Sequence, residues 1–201
     1  MQSDPNFDKY VSSSNLTHEQ IESLRAEISS RRNFIIVGAP SSGKTTLSRA
    51  ILQEMSLNAS PDERFVIIED VPELCCTAQN RVNLIAENGY SMAEIIKLSM
   101  RLGPKHLCVG ELRGPEAADL IKAWNTGHNG GITTIHASDA RSALDRLEKF
   151  ILEAGEEPMR RRIADAIQVI VVVANIGDDY RITKIFSLDL DKDGEYLLVE
   201  F

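Results

Sequence analysis

Five short apolar runs, most of them rich in β-branched residues, recur along the chain: Phe34-Ile35-Ile36-Val37, Arg64-Phe65-Val66-Ile67-Ile68, Leu107-Cys108-Val109, Ile132-Thr133-Thr134-Ile135 and Val169 to Ala174. Runs of this length and composition read as buried strands. The segments between them carry apolar residues at helical spacing, including Ile21, Leu24 and Ile28, then Thr46 to Leu52, then Ile95, Leu98 and Leu102. Thr17 with Gln20, and Ser91 with Glu94, have the capping-box spacing, and Leu16 with Ile21 is placed as a hydrophobic staple. These signals predict helices from about His18 to Ser30 and up to Leu102, where Gly103-Pro104 stops the second. Pro115 opens another that runs to Asn125, Ser138 caps a long one to Ala154, and Pro158 begins a shorter one. Strands alternating with helices predict an α/β fold: a parallel sheet flanked by helices on both faces, with ligands bound beyond the strand C-termini.

The tail changes period. From Tyr180 to Phe201 apolar and polar residues alternate on either side of Asp191-Lys192-Asp193-Gly194, which predicts a C-terminal β-hairpin. Asp189, Asp191, Asp193, Gly194 and Glu200 also fit a calcium-loop pattern, but that pattern needs a helix on each side and the flanks here read as strands. Residues Met1 to Asn15 are polar and read as an entry linker, leaving a single domain from about residue 17 to 201. The chain's 22 basic and 30 acidic residues give a net charge of −8, which supplies no overall drive toward nucleic acid. The longest apolar run falls far short of the roughly 20 residues that span a bilayer. No signal peptide is evident, and the three cysteines, Cys75 and Cys76 adjacent and Cys108 inside an apolar run, indicate neither a disulfide framework nor a metal site, so a reduced cytoplasmic setting is the expectation.

Candidate chemistry gathers at strand ends. Gly38-Ala39-Pro40-Ser41-Ser42-Gly43-Lys44-Thr45 fits the phosphate-loop pattern G-x-x-x-x-G-K-[ST] and lies between a strand and a helix. Such a loop aims backbone N–H groups at phosphates, and its glycines allow the close approach. Gly38, Ser41, Ser42, Gly43, Lys44, Thr45 and Thr46 are therefore the candidates for holding ATP, with Lys44 at the β- and γ-phosphates and Thr45 on Mg2+. Glu111, at the end of an apolar strand, is read as the acid that binds Mg2+ through water or polarises the attacking water. Glu69 and Asp70 follow another strand, and alternation puts one toward the metal and the other away. Glu69 is favoured toward the site, and Asp70 stays a candidate ligand. His136, at the end of the fourth strand, can donate to the γ-phosphate, whereas His128 shapes a glycine-rich turn or a subunit contact. His18 and His106 have no such placement, and Trp124 is expected to pack in the core.

Four motifs in order resemble the type II/type IV secretion traffic ATPases, and in particular the conjugal-transfer, TrbB-like branch. They are the loop Gly38 to Thr45, the acidic box Ile67 to Leu74, the segment Val109 to Ala117 around Glu111, and the histidine box Thr126 to Ala137. The phrase Lys122 to His128 favours the conjugation branch. The resemblance implies a RecA-like P-loop ATPase that forms a homo-hexamer, peripheral at the cytoplasmic face of an inner-membrane secretion apparatus, and powers conjugative transfer or type IV secretion. Two other functions are compatible with the motifs: a non-hydrolysing nucleotide switch, and a type II secretion or pilus motor. A motor acting directly on DNA is disfavoured by the acidic balance. Family members carry an additional N-terminal domain whose arginines contact the phosphates, so residues 1–16 would be a linker or the cut end of such a domain. If the catalytic charge lies within this chain, Arg113 and Arg101 are its candidates. Gly103 departs from the related Arg-Leu-Arg-Pro phrase, which Arg101 matches.

Overall fold

Strand β1 (Phe34–Gly38) is buried along its whole length and pairs in parallel with β5 (Ile132–His136) on one side and β6 (Val169–Ile176) on the other. Its period-two alternation sends Phe34 and Ile36 into one core and Ile35 and Val37 into the other. An apolar run is what a strand covered on both faces requires. β2 (Phe65–Glu69) repeats the arrangement between β3 (Arg81–Ile85) and β4 (His106–Val109), again all in parallel. The computed structural model describes residues 7–201 except 15, 88 and 178.

The two ribbons meet along β4 and β5. There the Leu112 amide donates to the Thr134 carbonyl at 2.9 Å, and Leu112 forms a parallel bridge with Ile135. The Trp124 indole, buried as expected, donates to the Leu107 carbonyl at 3.1 Å and covers the seam. Read across both ribbons the order is β3-β2-β4-β5-β1-β6-β7-β8. The last two strands, β7 (Asp179–Leu190) and β8 (Tyr196–Glu200), run antiparallel, so the expected parallel sheet is mixed at this edge.

Helices α1 (Phe7–Ser13), α2 (His18–Ser29) and α3 (Lys44–Asn58) supply one core, which holds Leu24, Ile28, Leu47, Ile51 and Met55. The opposite core takes residues from α4 (Met92–Ser99), α5 (Glu116–Asn125), α6 (Ala140–Glu153) and α7 (Arg160–Ala166). Both expected capping boxes form, at Thr17 with Gln20 and at Ser91 with Glu94.

Several expectations are corrected. The polar entry segment is not a linker where it is described, because Phe7, Tyr10 and Val11 recur at helical spacing and α1 buries them. The remainder of that reading, on residues 1–6 and 15, lies outside the described residues. α6 is capped by Asp139 rather than Ser138: Asp139 Oδ1 accepts from the Ser142 amide at 2.8 Å, and Ser138 donates its hydroxyl to the other oxygen. A carboxylate is the stronger acceptor at the positive end of a helix. β3 was not expected at all, since Arg81 and Asn83 face outward on an edge strand and dilute its apolar signal. The calcium-like aspartates sit between two strands, where Asp191 Oδ1 accepts from the amides of Asp193 and Glu195 and closes the hairpin turn.

Candidate functional site

The loop after β1 has glycine where a side chain would collide. A Cβ on Gly38 would lie 2.3 Å from Ser42 Oγ and 2.7 Å from the Val173 carbonyl oxygen. Gly43 has φ +91° and Ser41 φ +58°, left-handed conformations that turn the chain sharply into α3. No side chain caps α3, so the loop leaves the helix's first amides facing outward with their positive end. Ser42 Oγ is buried and has no partner. Lys44 folds back on the same loop, donating to the carbonyls of Gly38 at 3.1 Å and Ala39 at 2.8 Å and lying 2.8 Å from His136 Nδ1. Burial pushes its ammonium below the ordinary lysine value, opposed by the Glu111 carboxylate.

β4, β5 and β2 deliver the remaining groups to one edge. Arg113 donates from Nε and Nη2 to Glu111 Oε2 at 3.0 and 2.8 Å, and from Nη1 to Asp70 Oδ2. These contacts, the hydrogen bonds to Glu111 foremost, raise the arginine's pKa further. The other Glu111 oxygen lies 2.7 Å from His136 Nε2, though not aligned for a hydrogen bond. Lys44, His136, Glu111, Arg113 and Asp70 thus form one continuous chain of contacts, and all five line a single cavity of about 460 Å3 with the loop residues Ser41 to Thr46.

Glu69 lines the same cavity but is 97% buried, and its Oε1 accepts from the amides of Glu73 and Leu74 at 2.9 and 2.8 Å. It organises the loop that follows β2. Burial raises its pKa, while those two amides pull it down. Gly110 gives it room, since a Cβ there would stand 3.2 Å from Glu69 Cγ.

Other candidates lie elsewhere. Arg101 is exposed in a single 3-10 turn ahead of β4, at the opposite end of the strands from the cavity. Gly103 ends that turn with φ +62°, a backbone reason for glycine in place of an arginine. His128 Nδ1 lies 2.7 Å from the Pro104 carbonyl and shapes a turn. His106, given no role, is buried against Phe65 with centroids 3.9 Å apart, between the Gly130 carbonyl and Glu63.

Two contributors were missed. Glu73 Oε2 accepts the Thr45 hydroxyl at 3.0 Å, a placement that its spacing of four after Glu69 hinted at without revealing. Tyr180 reaches the phosphate loop from β7, and nothing local in its hairpin sequence could have pointed there.

The residues present suit a nucleotide with Mg2+. Ser42 Oγ lacks a partner, the α3 amides face outward, and Thr45 and Glu73 bring hard oxygen donors together. Among the described residues no three His, Cys, Asp or Glu side chains form a ready-made metal cage. Mg2+ is commonly held by one or two protein oxygens together with substrate phosphates, and Thr45 and Glu73 stand beside the phosphate loop where such oxygens would be needed.

Residues 3–179 match the family described as type II/IV secretion system protein. The conjugal transfer protein TrbB of Rhizobium radiobacter is 42% identical over 190 residues, covering 94% of this chain and 58% of that relative. The type IV secretion system protein VirB11 of Bartonella henselae is 30% identical over 175 residues, 81% of this chain and 48% of the relative. The crystal structure of the VirB11 ATPase from the Brucella suis type IV secretion system, in complex with sulphate, superposes with a TM-score of 0.77 at 31% identity, over 84% of this chain and 52% of that one. The pilus retraction motor PilT with bound ADP gives a TM-score of 0.66 at 21% identity, over 90% of this chain and 53% of PilT, a likeness of fold alone. The chain therefore spans roughly half to three fifths of the length of these relatives.

Proposed function

The chain belongs to the type II/IV secretion system protein family, with the α/β fold of its RecA-like ATPases, and from that premise we propose that it binds and hydrolyses ATP to power conjugative transfer or type IV secretion. The observation that carries this reading is the convergence of Lys44, Glu111, Arg113 and His136 with the phosphate loop on one cavity at the strand C-termini. In the whole protein the domain would work as one subunit of a homo-hexameric ring, peripheral at the cytoplasmic face of the inner membrane.

Each residue's part follows from its position. The loop amides and Ser42 hold the phosphates, and Lys44 exchanges its contacts with the loop carbonyls for the β- and γ-phosphate oxygens. Thr45, supported by Glu73, would hold Mg2+, with Asp70 and Glu111 as further oxygen donors. Bound there, the ion would supply positive charge against the negative charge developing on the transferring phosphoryl group. Glu111, freed on one side from Arg113, orients the attacking water, and Glu69 keeps the loop after β2 in place. His136, within reach of both Lys44 and Glu111, reports the γ-phosphate to the acid.

The test is ATP binding by calorimetry together with steady-state phosphate release. Lys44→Ala should lose both. Glu111→Gln should keep binding within a few-fold and lose at least about 100-fold in turnover, the scale of a positioned acid–base group. Full turnover in Glu111→Gln would remove Glu111 from the mechanism. A wild-type chain that binds ATP without turnover in any assembly would instead make the protein a nucleotide switch.

A further inference from the structure

We propose that Tyr180 is the platform on which the base of the bound nucleotide stacks, an assignment that rests on the nucleotide reading above and extends it to the other end of the ligand. The cavity has two unlike flanks. On the β5 and β4 side stand His136, Glu111, Arg113 and Asp70, all charged or polar and already linked to one another. On the other side of β1, past β6, stands Tyr180 at the start of β7, the one Phe, Tyr or Trp among the described residues lining the cavity. β6 continues beyond the level where β1 ends: Val37 is level with Val172, and Tyr180 pairs with Asn175. At about 3.3 Å per residue this raises Tyr180 roughly 10 Å above Val37 and about 7 Å above Gly38 at the end of β1, a wall beside the loop rather than a floor under it.

The ring is seated and still open. A Cβ on Gly43 would come within 2.6 Å of Tyr180 Cβ and Cγ, so the base of the side chain rests on the glycine that leads into Lys44. Tyr180 is nevertheless 41% exposed, with exposed Ile176 nearby on β6. An exposed aromatic costs solvation of apolar surface, and here it borders a cavity whose other large apolar side chains are few. A triphosphate whose terminal phosphate lies among Lys44, His136 and Glu111 must run its ribose and base away from them. β5 and β7 are three strand spacings apart, about 14 Å, a reach suited to an extended nucleoside triphosphate. Stacking on a bare ring face tolerates every base, so Tyr180 supplies affinity for the base with little choice between adenine and guanine.

The test compares ATP, GTP and inorganic tripolyphosphate, which lacks a base, by calorimetry on the 201-residue chain. Tyr180→Ala and Tyr180→Leu should weaken ATP and GTP alike by about 5- to 150-fold, the range that base–aromatic stacking carries. Both should leave tripolyphosphate unchanged, and Tyr180→Phe should behave as wild type. Leucine keeps bulk on Gly43, so it serves if the alanine variant melts early. A parallel loss of tripolyphosphate affinity would show that Tyr180 only shapes the loop, and unchanged ATP affinity would place the base elsewhere; either overturns the proposal. Wild type binding tripolyphosphate as tightly as ATP overturns the platform and leaves the phosphate site standing. Wild type binding neither ligand refutes the nucleotide reading itself.

Discussion

Thr45 and Glu73 show how a single pair can set the chemistry of a site. In most phosphate loops the threonine hydroxyl is read only as a metal ligand, yet here it donates to a carboxylate brought in by the loop after β2. That loop is held by Glu69, through the amides of Glu73 and Leu74, and by Arg49, whose Nε donates to the Glu73 carbonyl. A partner that orients a metal ligand typically accounts for 10- to 100-fold in metal affinity. Glu73→Ala should therefore raise the Mg2+ concentration needed for half-maximal turnover by about 10-fold or more, while ATP binding in EDTA stays as in wild type. The measurement is a Mg2+ titration of phosphate release beside calorimetry without metal. An unchanged Mg2+ requirement would reduce the contact to a feature of the nucleotide-free loop.

At the scale of elements, what the sequence made legible was whatever has a local signature. The strands around β1, the two capping boxes, the phosphate loop and the terminal hairpin all announce themselves within a few residues. What stayed hidden depends on partners far away in sequence. α1 reads as polar until β7 and α3 cover its apolar stripe, and Ser14 Oγ then accepts from the Ile182 amide at 3.0 Å. β3 reads as a loop because only one of its edges is paired. The residues lining the cavity followed the same rule: Lys44 in the phosphate loop motif and Glu111 and His136 at strand ends carry local signals, whereas Tyr180 and Glu73 needed the tertiary fold. The seam between β4 and β5 belongs to this hidden class. Gly131 lies there with no room for a side chain, since a Cβ would meet the Leu107 carbonyl oxygen at 2.1 Å and Trp124 Nε1 at 2.5 Å. Both groups are already bonded to each other, and the Gly131 amide itself donates to Asn33 Oδ1 at 2.9 Å. Gly131→Ala must displace the indole or part the ribbons, an overpacking cost of about 1–3 kcal/mol. For a chain of this size that lowers the melting temperature by roughly 2–12 °C in calorimetry, with a change below 1 °C refuting the seam's tightness.

Across the whole molecule, the cavity is short of positive charge. Among the described residues its lining holds two cations, Lys44 and Arg113, against four carboxylates, Glu69, Asp70, Glu73 and Glu111. Neither cation is free: Lys44 is bonded to loop carbonyls and Arg113 is shared between Glu111 and Asp70. Lys44 and a bound Mg2+ would hold the ground state as well as the transition state, and turnover rises only to the extent that an interaction strengthens in the transition state. An arginine delivered to the γ-phosphate from outside the site is worth roughly 10^3 to 10^5 in rate in other phosphoryl-transfer enzymes. Arg101 cannot be that group from within its own chain, since it stands at the far end of the strands. The 201-residue chain should therefore bind ATP and turn it over slowly, with a rate per subunit that rises when copies, or the additional sequence found in its longer relatives, close over the cavity. Phosphate release and sedimentation measured together across protein concentration decide the point. Turnover above about 1 s−1, a typical enzymatic rate, from a monomer and independent of concentration, would mean that Arg113 releases its carboxylates and supplies the charge from within.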